Sequence, residues 1–194
     1  MTHADSYAHV HQRSIQERDT FWREQASRID WQRQAEQICD TSQPPFARWF
    51  AGGTTNLCHN AVDRHVATRG DQAALIFVST ETGSERTINY RQLLREVETT
   101  AAMLQSLGVR QGDRVLLYMP MIPEAIIAML ATVRLGAIHS VVFGGFASAS
   151  LASRIDDARP KVIVTADAGS RGGKVVAYKP LLDDALRLAT HQVD

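Results

Sequence analysis

From residue 70 onward the sequence alternates between short, β-forming apolar runs and segments of helical length. Ala73–Val78 is a run rich in β-branched and aromatic residues, so a strand is expected there, with Glu85–Asn89 returning after the turn residues Thr80-Glu-Thr-Gly83-Ser. Tyr90–Leu107 has apolar residues at 90, 93, 94, 97, 101, 104 and 107, which is helical spacing, and Gly108 ends it. Arg114–Met119, Ala137–Phe143 and Lys161–Thr165 read as buried strands. Pro123–Leu135, Ala147–Ala158 and Pro180–His191 read as helices, and Gly173–Tyr178 as a further candidate strand. This alternation predicts βαβ units: an α/β fold with a largely parallel sheet and flanking helices, whose ligands bind at the carboxyl edge of the strands.

The first 69 residues differ in composition. They contain all three tryptophans, Trp22, Trp31 and Trp49, among many Gln, Arg and Glu residues. Tyr7–Ile29 is expected to be helical, Pro44-Pro45 breaks the pattern, and Phe46–Phe50 leads into a Gly52-Gly53 turn. Large isolated aromatics among charges suit a segment that docks on another surface. Across the chain, 21 basic residues balance 21 acidic ones, which argues against nucleic-acid or membrane-surface binding driven by bulk charge. The Ala125–Ala131 apolar run is too short to span a bilayer, and the N-terminal MTHADSYAHVHQR lacks the pattern of a secretory signal. A cytoplasmic protein is the expectation.

Two loops after predicted strands could carry chemistry. Phe143-Gly144-Gly145-Phe146 follows a strand and precedes a helix, so its backbone can turn sharply or approach a ligand closely, near free amides at a helix start. Arg171-Gly172-Gly173-Lys174 puts two cations on either side of a flexible pair, which suits a phosphate: Arg through paired donors, Lys as a mobile charge. On spacing alone, a plain turn and a solvated basic turn are the commoner readings of these loops. Gly52-Gly53-Thr54-Thr55 lacks the Gly-Lys-Ser/Thr ending of a phosphate loop. The histidines and the two cysteines, Cys39 and Cys58, have no metal-ligand spacing, and His139 reads as a core residue. No metal site and no catalytic constellation is assigned.

The runs PPFARWFAGGTTNLCHNAVDRH (Pro44–His65), GDRVLLYMPMIPEA, GAIHSVVFGGFA, RIDDARPKVIVTADAGSRGGK and YKPLLDDAL closely resemble, in this order, the short-chain acyl-CoA synthetases. That family belongs to the ANL superfamily of adenylate-forming enzymes, and the resemblance extends from about Tyr7 onward. GGTTNLCHNAVDRH and SRGGK are more similar to the propionyl-CoA synthetases (propionate–CoA ligases) within it than to acetate-specific members, whose general pattern has Arg where Lys174 stands. The resemblance implies an acetyl-CoA-synthetase-type N-terminal extension at 1–69, Trp-rich and helical. It implies the first part of the AMP-binding large domain at 70–194.

The implied reaction is propionate + ATP + CoA to propionyl-CoA + AMP + pyrophosphate. The implied site is part of the coenzyme A (CoA) pocket: Arg171, Gly172, Gly173 and Lys174 at the 3′-phosphate, with Phe143, Gly144 and Gly145 against the adenine. The family's ATP-phosphate loop, ribose-binding acid, C-terminal lysine and Mg are not matched between residues 1 and 194. The chain is therefore expected to be inactive alone and to depend on the remaining adenylation and C-terminal domains, in cis or in trans. The alternatives are part of an acetyl-CoA synthetase, or a non-catalytic CoA-binding or structural module.

Overall fold

In the computed structural model the described residues are 6–193; the first residues of the N-terminal stretch tested for a secretory signal, Met1–Asp5, lie outside them. The chain forms two compact units, 1–56 and 57–194.

In the first unit, α1 (Tyr7–Gln16) starts at Ser6, whose hydroxyl accepts the His9 amide, and α2 (Arg18–Ala26) comes directly after it. The single helix expected over 7–29 is thus two. Glu17 interrupts it with a non-helical backbone (φ −112°, ψ 41°), and an Arg13–Glu24 ion pair of 2.8 Å ties the halves together. The sequence also concealed a hairpin: β1 (Gln37–Gln43) pairs antiparallel with β2 (Phe46–Ala51), Cys39 opposite Trp49. Its turn is Pro44-Pro45 rather than an Asn-Gly or Asp-Gly pair, β1 is mostly polar, and β2 (FARWFA) is apolar or aromatic except at Arg48, so neither strand alternates and the turn chemistry did not mark the hairpin. Aromatic rings hold the unit together: Trp22 meets Phe21 and Trp49 edge-on at 5.2 and 5.6 Å, and Trp31 lies 5.5 Å from Phe50.

The second unit begins with a π-helical turn at His59–Asp63 and α3 (Arg64–Arg69). Buried Cys58 and Val62 join the same core as the later helices, so residues 57–69 pack with the α/β elements. Arg134 fastens this segment, donating to both carboxylate oxygens of Asp63 at 2.8 Å. Next come β3 (Ala73–Ser79) and β4 (Ser84–Asn89), an antiparallel pair, then α4 (Tyr90–Ser106). Asn89 and Gln92 cap α4 reciprocally, at 2.8 and 3.0 Å. The chain continues through β5 (Arg114–Tyr118), α5 (Pro123–Arg134), β6 (Ile138–Val142), α6 (Ser148–Ala158) and β7 (Val162–Thr165). It ends with β8 (Gly169–Arg171), β9 (Lys174–Val176) and α7 (Tyr178–Leu188).

β5 is central to a three-stranded parallel sheet of order β6-β5-β7, and β8 and β9 form a separate short hairpin. Alternation along β5 builds both faces of this sheet. Val115 and Leu117 enter the core with Leu93, Val97, Leu104 and Ile127 of α4 and α5. Leu116 and Tyr118 enter the other, with Leu151 and Ile155 of α6 and Leu182 of α7. Burial of a side chain such as Leu116 or Leu117 contributes about 1.5–3 kcal/mol, and burial on both faces explains why β5 is apolar from Val115 to Tyr118 rather than alternating. The chain crosses from β5 to β6 and then back past β5 to β7, which leaves α5 and α6 on opposite faces.

Candidate functional site

The parallel strands end in register, Tyr118 opposite Val142 on one side and Thr165 on the other. The Thr165 hydroxyl donates to the Tyr118 carbonyl at 2.8 Å, closing this edge. Both glycine loops leave from it. After β6 the chain turns through Phe143–Phe146, and the Phe146 amide returns to the Phe143 carbonyl at 3.2 Å. The Tyr118 hydroxyl donates to the Phe146 carbonyl at 3.2 Å, and the Tyr118 and Tyr178 rings pack 5.0 Å apart beneath. Burial pushes both phenols above their ordinary pKa; the Coulombic influence of Tyr178 adds to the rise at Tyr118, while Arg171 works against it at Tyr178.

The Arg171–Lys174 bend is the turn of the β8–β9 hairpin, with Arg171 and Lys174 opposite each other in its ladder. Gly172 and Gly173 both have left-handed backbones (φ 59° and 71°), which side chains rarely adopt. The fold brings this bend to the earlier corner: the Arg171 guanidinium lies over the Phe143 ring, 4.7 Å from its centre. Gly145 sits so close that a Cβ there would meet Arg171 Nη1 and the Phe143 ring. Phe143 remains 59% exposed, so one flat apolar surface faces outward beside a cation. Lys174 is exposed, and among the described residues it is in no ion pair. Of the seven residues singled out in the sequence, Phe143, Gly145 and Arg171 thus meet at one corner, with Gly144 buried beneath it against Tyr178, while Gly172, Gly173 and Lys174 continue the hairpin turn from Arg171.

Sequence reasoning missed two contributors, Arg154 and Glu81. Phe146, the last residue of the first loop, packs edge-on against Phe143 at 5.9 Å and carries Arg154 over its own ring at 4.1 Å, extending the cation–aromatic surface. Glu81, in the β3–β4 turn, accepts from the Gly172 and Gly173 amides at 2.8 and 2.9 Å. These amides hold its carboxyl below the ordinary pKa, Gly173 most strongly. The place of Arg154 within the helix that follows Phe146 was its only trace in the sequence, and nothing local marks Glu81. Among the described residues no group of three or more His, Cys, Asp or Glu is arranged to hold a metal ion, and no helix is long and apolar enough to cross a membrane.

A family model described as AMP-binding enzyme matches residues 62–193. The chain belongs to that family. A second model, acetyl-coenzyme A synthetase N-terminus, matches residues 7–61 of this AMP-binding family member. A propionate–CoA ligase from Salmonella typhimurium is 63% identical over 187 residues, which covers 96% of this chain and 30% of that protein. An acetyl-coenzyme A synthetase from Streptomyces coelicolor is 50% identical over 187 residues, 96% of this chain and 29% of its own. The solved structure of acetoacetyl-CoA synthetase from Streptomyces lividans superposes with a TM-score of 0.87 at 33% identity, covering 95% of this chain and 28% of that one. The chain thus spans about 30% of the length of the propionate–CoA ligases that it matches. The kinship inferred from the motifs and the mixed α/β architecture with a parallel sheet both hold.

Proposed function

We propose that the chain forms part of the CoA site of an ATP-dependent propionate–CoA ligase. In that reaction a propionate oxygen attacks the α-phosphorus of ATP and pyrophosphate leaves. The CoA sulfur then attacks the acyl carbon, and AMP departs with the C–O electron pair. Activation is needed because a carboxylate has no adequate leaving group of its own. The proposal assigns no reacting group to these residues, and assigns ATP and Mg to other parts of the enzyme, which works on small molecules in the cytoplasm. Propionate is favoured over acetate by the 63% identity to a propionate–CoA ligase, against 50% to an acetyl-coenzyme A synthetase.

The observation that carries the CoA assignment is the Arg171 guanidinium stacked on exposed Phe143 beside two glycine amides that already hold a carboxylate. Such a corner offers a ring face to an adenine and charged, forked donors to a neighbouring phosphate. Lys174 adds a second positive charge, and Gly144 and Gly145 let a base approach the backbone. The test is calorimetric titration of CoA and dephospho-CoA into the 194-residue chain. Dephospho-CoA is expected to bind roughly tenfold more weakly, a difference of about 1.4 kcal/mol, and Arg171→Ala is expected to abolish that difference. Equal binding of both ligands by the unaltered chain would overturn the assignment.

A further inference from the structure

We infer that Glu81 is an internal competitor for the phosphate seat: its carboxylate occupies the paired Gly172 and Gly173 amides and must withdraw before a phosphate monoester can use them. The inference rests on the CoA reading above. Each carboxylate oxygen takes one amide, at 2.8 and 2.9 Å, and the two left-handed residues make those successive amides converge on one anion. Glu81 reaches this seat from a distant turn that is independently shaped, the Thr82 amide donating to the Ser79 hydroxyl at 3.2 Å and the Thr82 and Ser84 hydroxyls sharing a hydrogen bond of 2.7 Å. Among the described residues no ion pair joins Glu81 to a cation, and Arg171 and Lys174 pair with no carboxylate. The seat is therefore filled by a monoanion bound to neutral donors, while the two flanking positive charges remain uncompensated by any acid.

A phosphate dianion would take the same amides and also meet both cations, so exchange favours it; the carboxylate sets the threshold it must exceed. The depressed carboxyl pKa of Glu81, caused by those amides, accords with a charged occupant. Because Glu81 belongs to the β3–β4 turn, its release would also detach that turn from the β8–β9 hairpin. Phosphate binding and turn position are then linked, and each biases the other.

The test uses adenosine 3′,5′-bisphosphate as probe, with adenosine 5′-monophosphate for comparison, against the unaltered chain, Glu81→Ala and Glu85→Ala. Glu85 is an exposed acid of β4 whose removal controls for general loss of negative charge. Glu81→Ala is expected to bind the bisphosphate about five- to tenfold more tightly, because the competing closed state is gone; Glu85→Ala should change binding less than twofold. In the unaltered chain, saturation with the bisphosphate should shift the amide resonances of Gly172 and Gly173 and the carboxyl carbon resonance of Glu81 together. If the chain prefers the bisphosphate but Glu81→Ala binds it no better than Glu85→Ala, the competitor role of Glu81 fails while the CoA reading stands. Should the unaltered chain not distinguish the two nucleotides, the CoA reading fails and this inference with it.

Discussion

Gly144 has no room for a side chain. A Cβ built there would run into the Tyr178 hydroxyl and ring, and Tyr178 is itself 4% exposed and packed on Tyr118. Gly144→Ala is accordingly expected to lower stability by about 1–3 kcal/mol, the range for overfilling a packed site, measured as the shift of a urea unfolding midpoint. Gly145→Ala should cost less, since the groups it would meet, the end of the Arg171 side chain and the edge of the Phe143 ring, belong to exposed residues that can shift toward solvent. Equal losses for the two would show that Tyr178 yields as easily as an exposed arginine. The sequence marked Gly144 as either a turn or a place of close approach. The choice between them depends on Tyr178, whose ring arrives from α7, and no local pattern reports that.

At the scale of elements, Asp156 joins the end of α6 to the chain beyond α7. Its Oδ1 accepts from the Thr190 and His191 amides, each at 2.8 Å, and the His191 amide is the main cause of its lowered carboxyl pKa. A carboxyl depressed on folding contributes stability that is fully present above its unfolded pKa, about 3.9 for Asp. That contribution is lost as pH falls through the lower folded value. Asp156→Ala should therefore melt below the unaltered chain at pH 7, with the gap narrowing as pH drops below the ordinary Asp value. A gap independent of pH would mean that the charge of Asp156 does not act here. Helices and strands were the most legible elements: α4, β5, α5, β6, α6 and β7 begin and end within a residue or two of their apolar periodicity. The β1–β2 hairpin and β8 were not: β1 is mostly polar, β8 is Gly-Ser-Arg, and β2, though aromatic, is largely exposed, so these strands gain order from pairing rather than from a buried stripe.

For the whole second unit, sheet order sets the distribution of local stability. β5 is hydrogen-bonded on both sides, whereas β6 pairs only with β5 among the described residues and exposes Ile138 and Val141. Amide hydrogen exchange of the 194-residue chain should thus be slowest in β5 and faster by at least tenfold for the outward amides of β6, as expected for an open edge. Protection of β6 equal to β5 would reveal another strand covering that edge. The local composition of this chain was enough to specify its periodic elements, its α/β class and the positions of the two glycine loops. These come from side-chain burial and backbone permissiveness, which act over a few residues. The convergence of Phe143 with Arg171, the place of Tyr178 under Gly144 and the arrival of Glu81 at the glycine amides required the folded sheet. Such contacts join residues from separate elements, and their free energy exists only once strand order and helix packing have brought those elements together.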